Sequence, residues 1–128
     1  MTTTFEYLDL PHPADDDRSA RAASLRSRAF VQAAGREGWI GIFADDAVVQ
    51  DPVGVSFLDE TGEGHKGREG IGGFWDEVIS KNPVRMDIVS SHAGGDEVAN
   101  YLTITTTFPD GSSVAGEMVA IYKVDEAG

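Results

Sequence analysis

Three runs near the end of the chain, VRMDIVSSH, EVANYLTITTTF and SVAGEMVAIYKV, restrict its fold more than any other feature. Each is strand-like, rich in β-branched and aromatic residues, and Gly-Gly-Asp and Pro-Asp-Gly turn signals separate them. Connections this short join antiparallel neighbours, so the three runs form a meander. Such a sheet needs cover on one face, and the upstream half supplies it. Ile71, Phe74, Trp75, Val78 and Ile79 give the i, i+3, i+4, i+7, i+8 stripe of an amphipathic helix, which KNP ends. From Ser19 to Ala34 a first helix places Ala22, Leu25, Ala29 and Ala33 on one face, with Phe30 beside them. Asp15-Asp16-Asp17 supplies negative charge at its start, and Gly35 stops it. Trp39 and Phe43, one turn apart, mark a short second helix. AVVQD then alternates as a strand, with Ala47, Val49 and Asp51 on one face. The expected fold is α+β, with three helices packed on a curved, mostly antiparallel sheet. A sheet rolled over helices at this size leaves a cone open at one end, a ligand site by shape.

Composition bounds the function. At 128 residues the chain is one domain, read as an arm over residues 1–14, broken by Pro11 and Pro13, and a domain over 15–128. With no cysteine there is no thiolate catalysis and no zinc–thiolate site, and a cytoplasmic setting is expected. A net charge of −12 argues against nucleic acid and anionic membranes, whose binding needs clustered Lys and Arg. No segment approaches the roughly 20 apolar residues of a membrane-spanning helix.

Most motif matches fail on chemistry. Gly62-Glu63-Gly64-His65-Lys66-Gly67 satisfies GxGxxG before a helix, but no βαβ strand feeds it, and Asp59, Glu60 and Glu63 would repel a pyrophosphate. His12, His65 and His92 lack metal-ligand spacing, so no metal is expected. No Gly-x-Ser-x-Gly elbow anchors a serine triad. Asp76 and Glu77 read as a solvated helix face. Asp51 is different. It precedes Pro52, a common turn start, yet it follows Ala47 and Val49 on an apolar face, and Val53 and Val55 continue that lining. A carboxylate at the mouth of an apolar cavity has a raised pKa and suits proton abstraction from carbon.

The segments FADDAVVQDPVG and GHKGREGIGGFW resemble the ketosteroid isomerase branch of the NTF2-like (SnoaL-like) superfamily, and REGWIGIFADDAVVQDPVG resembles its mycobacterial-type members. The likeness is specific between Trp39 and Trp75 and follows element order over residues 20 to 128. It implies an NTF2-like cone and a cofactor-free isomerase acting on a 3-oxo-Δ5 steroid. In that family an aspartate at the position of Asp51 moves the proton, while a first-helix tyrosine and a late-strand aspartic acid hold the dienolate oxygen. Asp51 matches the base. The donors do not match: Ser27, or Arg28 with one deletion, stands at the tyrosine position, and Ala120 at that of the acid. Losing one such donor costs about 3–4 kcal/mol of barrier. Tyr101, Tyr122, Trp75 and Arg28 are the candidates to fill the gap.

The resemblance places Asp51 as the catalytic residue and Phe30, Phe43, Val53, Trp75, Met118, Ala120 and Tyr122 as walls for an apolar, steroid-like ligand. Alternatives are a non-catalytic ligand-binding protein and a polyketide-cyclase-like enzyme on the same fold. An epoxide hydrolase would need an Asp-Arg-Asp set, of which Arg28 and Asp51 supply two members. A homodimer through the sheet is expected, with Thr103, Thr105 and Thr107 as its polar row. The family carries one more strand after the DEAG turn.

Overall fold

The computed structural model describes residues 5–128. Helices α1 (Ala20–Gln32) and α2 (Arg36–Gly41) come first, then short strand β1 (Val48–Val49) and β2 (His65–Lys66). Helix α3 (Gly67–Glu77) and a 3-10 turn (Ile79–Lys81) precede β3 (Val84–Gly94), β4 (Glu97–Thr107) and β5 (Ser113–Lys123). All pairs are antiparallel: β1 with β2, and β3-β4-β5 as the expected meander. This is the α+β arrangement of helices on an antiparallel sheet.

Local chemistry explains the element ends. Ser19 caps α1, its hydroxyl accepting from the Ala22 amide at 3.1 Å. The face α1 buries is Ala20, Ala22, Ala23, Ser24, Leu25 and Ser27; Ala33, expected to face inward, is the exposed C-cap. Small residues on that face let the helix lie close to the sheet, and the two serines are buried because each finds a partner. Ser24 accepts from the Asn100 amide at 2.9 Å, and Asn100 accepts in turn from the Ser91 hydroxyl at 2.6 Å. The strand expected through Asp51 stops at Val49, because Pro52 has no N–H to give a ladder. Asp51 therefore stands on the irregular loop that follows, at a cis peptide to Pro52.

Two cores result. Trp39, Ile40, Ile71, Phe74 and Trp75 pack α2 on α3, and Leu25, Ile88 and Leu102 pack α1 on the sheet. On β4, Val98, Asn100 and Leu102 alternate inward, and Asn100 and Leu102 pair with Ala120 and Met118 of β5. The arm lies on the domain: the Leu8 amide donates to the Ile88 carbonyl at 2.8 Å, and Leu10 packs against the Leu25 cluster. Tyr7 meets the Thr103 hydroxyl at 3.2 Å, so Thr103 is only 7% exposed and is not part of the open polar row expected of it. Among the described residues no helix is long and apolar enough to cross a membrane.

Candidate functional site

Tyr122 is on the inward face of β5 with Met118 and Ala120, since side chains two apart share a face. Its hydroxyl lies 3.0 Å from the hydroxyl of Ser27 on α1. The Trp39 indole N–H, from α2, donates to the same serine oxygen at 2.9 Å. Three elements thus meet at one buried hydroxyl, Ser27 being 3% exposed. Burial pushes the Tyr122 phenol above its ordinary range; the Ser27 contact opposes the shift and the negative charge of Asp51 adds to it.

Asp51 is exposed on its loop, yet enough protein surrounds its carboxyl for desolvation to raise its pKa from the ordinary 3.8, against an opposing effect of His65. His65, on β2, stacks on Phe74 with ring centroids 4.7 Å apart, and its Nε2 is buried without a hydrogen-bond partner among the described residues. The sequence reading found no role for His65. It sits opposite Val49, two residues before Asp51, in the β1–β2 pair.

The other expected residues divide. Met118 and Ala120 precede Tyr122 on the same face of β5 and pack on the Leu25 cluster. Phe30 packs into the α2–α3 core, its ring against Gly38. Trp75 is in that core beside Trp39, centroids 5.3 Å apart, and Phe43 meets Trp39 edge-on at 4.8 Å. Val53 was expected as an enclosed wall but is 80% exposed, because it follows Pro52 onto the loop rather than extending β1. Val55 and Phe57 on the same loop are 76% and 93% exposed. Two cavities, of about 330 and 290 Å³, lie elsewhere, one bounded by Arg18, Arg26, Phe43 and Asp125, the other between the arm and α1. Neither is lined by Asp51 or Tyr122; the exposed Val53, Val55 and Phe57 form an apolar patch on the loop after Asp51.

Two of the proposed replacement donors are committed elsewhere. The Arg28 guanidinium donates to the Met86 carbonyl. Tyr101 points to the outer face of the sheet and pairs with Glu117. The Gly-rich loop is likewise occupied by its own chain. The Asp59 carboxylate accepts from the Gly62 and Gly64 amides at 3.1 and 2.8 Å, taking the N–H groups a phosphate would need. Among the described residues no three His, Asp or Glu side chains gather as a metal site.

Comparison with known proteins agrees with the fold. The SnoaL-like domain model matches residues 25–128. The chain is similar to the Δ5-3-ketosteroid isomerase of a Mycobacterium species, at 35% identity over 84% of each chain and a TM-score of 0.78. It is equally similar to a Mycobacterium tuberculosis protein solved with estradiol-17β-hemisuccinate, at 35% identity over 84% of this chain and 85% of that one, TM-score 0.78. A computationally designed 17-OHP binder matches at 34% identity over 84% and 83%, TM-score 0.78. Comparison with curated proteins gives no match. On its sequence, its sheet and its Asp-Pro turn, the chain belongs to the SnoaL-like family of the NTF2-like superfamily.

Proposed function

We propose that this chain binds an apolar, steroid-like ligand in its cone and moves a proton between two of the ligand's carbons, with Asp51 as the base. One observation carries the reading: Asp51 stands on the turn directly after β1 beside exposed Val53, Val55 and Phe57, and desolvation raising its carboxyl pKa agrees with a base. The ionised carboxylate takes a proton from the carbon beside a ketone, leaving a dienolate. The protonated Asp51 then returns it to the far end of the conjugated system. A raised pKa narrows the gap to the carbon acid and favours the transfer. Val53, Val55 and Phe57 support an apolar ligand, since covering each side chain yields about 1.5–3 kcal/mol. The steroid bound by the M. tuberculosis relative supports the same class. The reading includes a cytoplasmic enzyme and a homodimer through the outer face of the sheet.

A second reading, a binder without turnover, draws on Ala120, which offers no donor where the family has an acid. Absorbance of the conjugated enone formed from 5-androstene-3,17-dione separates the two. The expected result is turnover by the wild type that falls at least 100-fold in Asp51→Asn. Saturable steroid binding with no turnover above buffer would establish the binder instead. Neither binding nor turnover would sink both.

A further inference from the structure

We propose that Tyr122, aligned by Ser27 and Trp39, is the hydrogen-bond donor to the ligand's oxyanion, replacing the absent tyrosine and acid by a single side chain on β5. The inference rests on the proton-transfer reading and supplies its electrophilic half.

Counting protons gives the direction. An indole N–H can only donate, so Trp39 fixes the Ser27 oxygen as its acceptor. Ser27 keeps one proton, and Tyr122 is its hydroxyl neighbour at 3.0 Å. Either hydroxyl can donate to the other while the site is empty. A ligand oxygen at Tyr122 selects one order: Trp39 N–H to Ser27, Ser27 O–H to Tyr122, Tyr122 O–H to the ligand. Each bond in such a chain polarises the next. Among the described residues the Tyr122 hydroxyl has no other hydrogen-bond partner.

Position and charge agree with this role. Tyr122 shares the inward face of β5 with Ala120, and its hydroxyl stands beside Ser27, the residue at the position of the family's tyrosine. Before reaction the negative charge on Asp51 opposes ionisation of Tyr122, so the phenol keeps the proton it must share. When Asp51 takes the carbon-bound proton, that charge passes to the ligand oxygen. Tyr122 meets it with a hydrogen bond and transfers no proton itself. Ser27 and Trp39 act through Tyr122 and are positioning residues.

Two readouts test the proposal, with folding checked by circular dichroism. In the enone assay, Tyr122→Phe is expected to lower kcat about 100-fold with KM little changed. Ser27→Ala is expected to lower kcat less, and Ser27→Thr, which restores a hydroxyl, to recover it. The second readout needs no turnover: affinity of Asp51→Asn protein for estradiol and for its analogue lacking the phenolic oxygen. Adding Tyr122→Phe should weaken estradiol at least tenfold and spare the analogue. If that holds while no protein isomerises the ketone, the donor stands and the proton-transfer reading falls. If Asp51→Asn abolishes turnover and Tyr122→Phe leaves it intact, the reading stands and the donor assignment is overturned. Equal weakening of both ligands makes Tyr122 a wall only, and no saturable binding of either also contradicts the proposal.

Discussion

Asp51 is the residue at which folding and chemistry pull apart. Its carboxyl carries a desolvation penalty that burial imposes and that the opposing His65 effect does not cancel. The folded pKa lies above the unfolded value of 3.8, so between the two the native state holds a proton that the unfolded chain has released. Stability from this group is therefore full below 3.8 and falls as pH rises through the folded pKa. Asn carries no such charge. Asp51→Asn is expected to melt at a higher temperature than the wild type at neutral pH, with the gap closing in acid. The gain is modest, because solvent still reaches Asp51 and screens it. Thermal melts at the two pH values check it; a variant that melts lower at neutral pH would show a carboxylate stabilised by its surroundings rather than strained by them.

Among the elements, the α1–α2 corner turns on Gly38. A Cβ built there would stand 2.2 Å from the edge of the Phe30 ring, which uses the missing side chain as its seat. Gly38→Ala gains about 1 kcal/mol of helix propensity and forces the ring to move, an overpacking cost of about 1–3 kcal/mol. A net loss of stability in urea is expected; unchanged or increased stability would mean that Phe30 gives way freely. The meander and α3 were legible in the sequence because alternation, helical spacing and Pro-Asp-Gly chemistry are local. The short end of β1 was less so, since Pro52 was read as starting a turn rather than as breaking the ladder. The burial of Ser24 and Ser27 was not foreseen, for a deeper reason. Their hydroxyls are buried by Asn100 and Tyr122, 76 and 95 positions along the chain, and polarity alone gives no sign of such partners. Their i, i+3 spacing within a stripe of alanines was the available signal. Asp51 was singled out from its apolar neighbours, and Tyr122 was one of four candidate donors, of which Arg28 and Tyr101 have partners elsewhere.

At the scale of the whole molecule, the sheet has a filled side and an open one. On the outer face Val119 and Ile121 are 62% and 68% exposed, beside Tyr101 and near the arm. A second copy on this face would bury them, and the apolar pair suits that role better than the threonine row, whose Thr103 the arm already covers. Sedimentation should therefore give a dimer for the wild type and a monomer for Ile121→Asp; a monomeric wild type, or a variant that stays dimeric, would count against this face. On the other side lies the cone, where Asp51 is proposed to move protons on a steroid-like ligand. The rate of enone formation from 5-androstene-3,17-dione, followed across pH for the wild type and Asp51→Asn, tests it most directly. The wild-type rate is expected to rise with pH through a midpoint above 3.8 and then level, with no rise in the variant. A variant that keeps the wild-type rate and profile, or a wild type no faster than buffer at any pH, would contradict it.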